Sequence, residues 1–234
     1  MPSDLSRDAS RPSSGFRTEA GRYLPLAIAV IVICAVGFAV LLSMVARGAL
    51  SGFDTQILLW MGASDNHHLD GAALEITSLG SIWVVWLSVF VASVLFWNAG
   101  QRSASMILWL ALLGNLALNF ALKTVIARAR PDLFEWRTPY AGEFAFPSGH
   151  SMTAMAVYGT MAYLVARYTP DRRVRLLTTL AFGLAILTVG ASRVYLGVHF
   201  PTDVLAGFLV GLGWAAFCAL TVEYLSYRRR AGVA

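Results

Sequence analysis

The chain has 234 residues, of which 57% are hydrophobic and only 13% charged, against about 25% charged in an average soluble domain, and its mean hydropathy is +0.64. These values exclude a soluble single-core protein, a disordered chain and a disulfide scaffold, and point to an integral membrane protein built as one helical domain. The net charge of +5 comes from 18 basic residues that mostly flank apolar runs, which fits membrane topology better than a nucleic-acid partner.

Residues 1–23 are polar, rich in Ser and Arg and without apolar periodicity, and read as a flexible tail. Leu24 to Ala46 is uncharged and long enough to span; it exceeds the 7–15 residues of a signal-peptide core and reads as a retained anchor. From Gly52 to Leu74 the apolar Ile57, Leu58, Trp60 and Met61 stand beside Asp54, Asp65 and Asp70, the pattern of an amphipathic helix lying at the interface. Further spans are expected over Ile76–Asn98, Ser103–Leu122, Met152–Ala166, Leu176–Ala191 and Val204–Leu220. The expected architecture is therefore all-α, a six-helix membrane bundle over residues 24–227 with an interfacial helix after the first span. A basic segment, 228–234, closes the chain. Cys34 and Cys218 lie inside spans and read as small apolar fillers. Gly207 and Gly211 form a small-xxx-small pair suited to close helix packing.

Orientation follows from the basic residues. Arg7, Arg11, Arg17 and Arg22, then Arg102, then Arg167, Arg172, Arg173 and Arg175, and finally Arg228, Arg229 and Arg230 all fall on one predicted side, which should be the cytoplasm. Both termini would lie there. The remaining six are Arg47, Lys123, Arg128, Arg130, Arg137 and Arg193; the last five sit in the two loops that also hold His150 and His199, break the rule and need another explanation.

Three segments on the opposite face concentrate ionisable groups. Lys123 and Arg130 are seven residues apart; on a continuing helix they would share a face two turns apart and could reach one phosphate, with Pro131 ending that helix. Pro147-Ser148-Gly149-His150 reads as a helix start, with Ser148 as N-cap, Gly149 admitting close backbone approach, and His150 beside an anion that would favour its imidazolium form. Ser192-Arg193 leads to His199 and Asp203, four apart around Pro201, so that the carboxylate could fix one imidazole nitrogen while Arg193 offers a planar fork to phosphate oxygens. Charged groups at span ends are costly unless they face one another or water. Together they specify phosphoryl transfer, without deciding which histidine attacks. No H-E-x-x-H or Cys cluster suggests a metal, and His67 and His68 read as part of a solvated interfacial loop.

The pattern K-x6-R-P, P-S-G-H and S-R-x5-H-x3-D resembles the three-part signature of the type 2 phosphatidic acid phosphatase family, membrane lipid phosphatases related to vanadium haloperoxidases. Every fixed position is matched, by Lys123, Arg130, Pro131, Pro147, Ser148, Gly149, His150, Ser192, Arg193, His199 and Asp203. The resemblance implies His199 as nucleophile through a phosphohistidine, Asp203 orienting it and His150 protonating the leaving oxygen. It implies that Lys123, Arg130, Ser148, Gly149 and Arg193 hold the phosphoryl group, with no metal or cofactor. Phosphatidic acid, phosphatidylglycerol phosphate and undecaprenyl pyrophosphate are the expected substrates, at the periplasmic face of an inner membrane. Lipid A dephosphorylation, phosphotransfer to another acceptor, and a non-enzymatic lipid or anion transporter are the alternatives. Arg128 has no place in the motif.

Overall fold

A computed structural model describes residues 14–63, 67–138 and 141–230. Among them the regular elements are helices: α1 (Ser14–Ala46), α2 (Ser51–Gly62), α3 (His67–Ser78), α4 (Ile82–Asn98), α5 (Arg102–Ile126), α6 (Gly149–Tyr168), α7 (Arg172–Tyr195) and α8 (Pro201–Arg230). Of these, α5, α7, α8 and the Leu24–Ala46 part of α1 are long and apolar enough to cross a membrane, and α3 with α4 qualifies as a fifth crossing bent by 45°. At about 1.5 Å rise per residue, the 25 residues of α5 exceed a ~30 Å hydrocarbon core.

Several boundaries differ from expectation. Helix α1 starts at Ser14, so the second half of the expected tail is helical, while residues 1–13 lie outside the described residues. The single interfacial helix is replaced by α2 and α3, and Asp65 falls outside the described residues. The second span breaks at residues 79–81, where Ser81 caps α4 by accepting from the Val84 N–H at 3.5 Å. Helix α5 ends four residues before Arg130, because Ala127 adopts a left-handed conformation (φ 48°) with its N–H on the Lys123 carbonyl. Helix α8 continues through the expected boundary at residue 228.

The main core lies among α4 to α8, around Val85, Leu108, Leu112, Val157, Leu164, Val189 and Cys218. Gly207 and Gly211 let α8 touch the α6 backbone: a Cβ at Gly207 would lie 2.7 Å from the Ser148 oxygen, and one at Gly211 2.6 Å from that of Met152. Outward-facing Ile33, Leu87, Phe120, Leu177 and Leu184 give the bundle an apolar exterior, as a lipid-facing surface requires.

The two ends of the bundle differ in character. A cavity of about 350 Å³ joins Leu24 and Ala27 of α1 to Tyr163 of α6 and Glu223 of α8, and Glu223 accepts from Tyr163 and Arg167. The end of α6 thus lies beside the Leu24–Ala27 part of α1 and the end of α8 on one side, and beside the end of α4 and the start of α5 on the other. At the other end α2 packs on α7 and α8 through Leu58, Val194 and Val204, and α3 packs through Ala73 on Leu196 and Val198. Those two short helices roof the site.

Candidate active site

The site is assembled from chain ends. The αL turn at Ala127 throws residues 128–131 out of the α5 axis, so Lys123 stays on the last helical turn while Arg130 reaches its neighbours from a loop. Lys123 and Arg130 therefore converge without the shared helical face that their spacing suggested. Helix α6 contributes Ser148, Gly149 and His150 from its first turn, α7 contributes Arg193 from its last, and His199 and Asp203 flank the start of α8.

His199 and Asp203 are buried, 2% and 0% exposed. The Arg130 Nη1 lies 3.2 Å from His199 Nε2. On its other side, His199 Nδ1 lies 3.5 Å from Asp203 Oδ2 and has no hydrogen-bond partner among the described residues, so the expected carboxylate–imidazole bond is approached but not closed. Burial, and then the charges of Arg130, Arg193 and Lys123, hold the His199 pKa well below its ordinary value. His150 is subject to the same influences: burial first, then Arg193, His199, Arg130 and Lys123, push it down to about 3. At that value His150 holds no proton near neutral pH, and its expected imidazolium form requires a neighbouring anion.

The cations are engaged with backbone oxygens. Lys123 Nζ donates to the Phe144 carbonyl, and Arg130 donates to the carbonyls of Gly142 and Val198 at 2.6 Å each and to that of Ala141. Arg193 is buried; its Nη1 donates to Thr77 of α3 at 2.9 Å, while its Nε has no partner among the described residues. Ser148 occupies the N-cap position but caps no backbone N–H; its hydroxyl accepts from Ser151 at 3.0 Å, and its own N–H donates to the Asp203 carbonyl at 2.9 Å. A side chain at Gly149 would meet the Asn119 oxygen at 3.2 Å, which shows how closely α5 approaches that turn.

Sequence reasoning missed Arg128 and Asp54. Arg128 donates to Asp203 Oδ1 at 2.6 Å, to Thr202 Oγ1 at 2.8 Å and to Asp54 Oδ2 at 2.8 Å. Asp54 was expected at the solvated face of an interfacial helix; it is 1% exposed and also accepts from the Thr202 N–H and hydroxyl. The available signal was a basic residue on the side where topology disfavours one.

Comparison with known proteins adds an independent line. A sequence profile of the PAP2 superfamily matches residues 104–227. Over 141 residues the chain is 40% identical to phosphatidylglycerophosphatase B of Bacillus subtilis, covering 58% of this chain and 67% of that one. It is 38% identical to lipid A 1-phosphatase of Rhizobium etli over 57% of this chain, and spans about half, 49%, of that relative. The crystal structure of a transmembrane PAP2 type phosphatidylglycerolphosphate phosphatase from Bacillus subtilis superimposes with a TM-score of 0.75 at 28% identity, covering 85% of this chain and 96% of that one.

Proposed function

This chain belongs to the PAP2 superfamily, and from that premise we propose that it is an integral-membrane lipid phosphate phosphatase working through a histidine nucleophile without a metal. The observation that carries the reading is the meeting of His150, His199, Lys123, Arg130 and Arg193 at one end of an apolar bundle, each within electrostatic reach of the others. Three cations and two imidazoles in a buried site suit a transferring phosphoryl group, whose chemistry demands positioning and charge stabilisation more than covalent work.

His199 Nε2 attacks phosphorus in line with the ester oxygen, forming an N–P bond as the P–O bond breaks. Lys123, Arg130 and Arg193, with the Ser148 hydroxyl and the Gly149 backbone, hold the phosphoryl oxygens. A bound phosphate dianion offsets the cations that oppose a proton on His150, so substrate itself supplies the field that lets His150 protonate the departing oxygen. Now neutral, His150 takes a proton from water, which attacks the phosphohistidine and releases phosphate. Asp203 orients His199 and stabilises its charge. To bind, the phosphate oxygens take donors that Lys123 and Arg130 otherwise give to the carbonyls of Ala141, Gly142, Phe144 and Val198.

In this reading the chain crosses the membrane six times, with α6 spanning over residues 152–166 and α2 and α3 lying over the outer mouth. Both termini face the cytoplasm, because 12 of the 18 basic residues flank the spans on that side in the sequence, and the site opens to the periplasmic side of an inner membrane. The substrate enters with its tails in hydrocarbon and its phosphate at the mouth. Phosphatidylglycerol phosphate stands first among substrates, since the Bacillus phosphatidylglycerophosphatase B aligns over 67% of its length; phosphatidic acid and undecaprenyl pyrophosphate share the required phosphate chemistry. Brief incubation with radiolabelled phosphatidylglycerol phosphate, followed by alkaline denaturation, tests the mechanism. An alkali-stable, acid-labile label on the protein that disappears in His199→Ala is expected. Rapid phosphate release with no label on the unaltered protein at any time point would contradict a covalent intermediate.

A further inference from the structure

Building on the phosphatase reading above, we infer that Arg128, anchored by the buried Asp54 of α2, is a positioning residue that clamps the Asp203 carboxylate and thereby sets the tautomer of His199.

The geometry leaves Arg128 little freedom to act otherwise. Its guanidinium lies between two carboxylates, Nη2 on Asp54 at 2.8 Å and Nη1 on Asp203 at 2.6 Å, with the Phe200 ring 4.4 Å from its central carbon. Asp54 is satisfied on both oxygens: Oδ1 accepts the Thr202 N–H at 3.0 Å, and Oδ2 accepts the Thr202 hydroxyl at 2.6 Å as well as Arg128. Asp54 thus tethers α2 to the first turn of α8 and fixes Arg128 from behind. Two buried carboxylates this close to one guanidinium would repel one another without it, so their separation and orientation depend on its planar fork.

The effect on Asp203 is directional. Its Oδ1 is taken by Arg128, and its Oδ2 accepts the Phe200 N–H at 2.8 Å, which pins both ends of the carboxylate and presents Oδ2 to His199 Nδ1 at 3.5 Å. On the far side of the ring, an Arg130 N–H points at Nε2, which can accept only if unprotonated. The Arg130 contact favours the tautomer with hydrogen on Nδ1 and the lone pair on Nε2, and the pinned Oδ2 keeps an acceptor facing that hydrogen. A direct phosphate contact by Arg128 would instead require it to release a buried carboxylate.

Asp54→Asn and Arg128→Lys test this in the full-length protein in detergent, with thermal unfolding followed alongside. Asp54→Asn is isosteric and touches neither His199 nor the cations that face it; Arg128→Lys keeps the charge but not the fork. Histidine ¹⁵N NMR of the unaltered protein should show the Nδ1–H tautomer for His199 and a mixture in either variant, whether or not any lipid is turned over. With phosphatidylglycerol phosphate, kcat should fall about 10–100-fold in both variants, the loss expected of a small misplacement, with KM and inhibition by inorganic phosphate within about twofold. The double variant should be no worse than the worse single one. An unchanged tautomer, or unchanged kcat in folded variants, would overturn the inference, as would inhibition by phosphate weakening in parallel with kcat, which would make Arg128 a phosphate ligand. A tautomer shift in a protein that hydrolyses no lipid would leave the clamp standing and refute the phosphatase reading instead.

Discussion

Arg130 Nη1 stands 3.2 Å from His199 Nε2, so the cation proposed to grip phosphate also covers the nitrogen proposed to attack it. Before reaction that donor must transfer from Nε2 to a phosphoryl oxygen, which uncovers the lone pair only when substrate is present. Arg130→Lys keeps a charge but loses the fork, with its donations to the Gly142, Ala141 and Val198 carbonyls. A charged hydrogen bond is worth about 1.5–3 kcal/mol, so kcat/KM should fall roughly 10–150-fold. Steady-state kinetics on phosphatidylglycerol phosphate measure it, and a loss below threefold would contradict the assignment.

Asp203→Asn offers a sharper test of orientation. The amide retains the size of the carboxylate, but rotated either way it faces donors from Arg128 and from the Phe200 N–H, so an amide N–H2 opposes one of them. We expect kcat to drop by about 10³-fold or more, on the scale seen when the acid that orients a catalytic histidine is neutralised. Single-turnover phosphate release should show that formation of the phosphoenzyme, rather than lipid binding, is slowed.

Stability should depend on pH through His199. Its folded pKa is held well below the ordinary value of about 6.5 by burial and then by Arg130, Arg193 and Lys123. As pH falls through about 6.5 the unfolded chain takes up a proton that the folded site refuses, so this contribution is present above that pH and is lost on acidification, at up to about 1.4 kcal/mol per pH unit. Thermal unfolding in detergent from pH 8 to pH 5 should show a steeper loss for the unaltered protein than for His199→Gln. Equal slopes would contradict the buried neutral imidazole.

Close packing of α6 on α8 gives a prediction about glycine. Gly207→Ala places a methyl 2.7 Å from the Ser148 oxygen, which must move, and should cost about 1–3 kcal/mol as well as activity, since Ser148 begins the segment bearing His150. Gly183→Ala in α7 meets nothing within 4 Å and should leave the protein as stable or more so. Melting temperatures of the two variants compare them directly.

Much of this arrangement was legible because each motif is local. Lys123, Arg130, His150, Arg193, His199 and Asp203 sit at the ends of apolar runs, and the asymmetry of Arg between those ends already assigned them to one side. The Arg128–Asp54 contact was not legible: it joins residues 74 apart in the chain and depends on the left-handed turn at Ala127, a conformation that an alanine does not advertise. Asp54 was misread because an acid on an amphipathic stretch, beside Ser51, Thr55 and Gln56, has the same pattern whether it faces water or a buried arginine. The shared helical face of Lys123 and Arg130 failed because the left-handed Ala127 ends the helix at Ile126 rather than at Pro131. At Ser148 the N-cap position was legible but its partner was not, since the hydroxyl accepts from the Ser151 hydroxyl rather than from a backbone N–H.

The most direct test of the central claim is phosphate release in detergent with EDTA present, from phosphatidylglycerol phosphate, phosphatidic acid and undecaprenyl pyrophosphate in parallel, comparing the unaltered protein with His199→Ala. The account predicts release that survives EDTA and vanishes in the variant, fastest from phosphatidylglycerol phosphate. Release abolished by EDTA, or persisting in His199→Ala, would contradict a metal-free histidine mechanism.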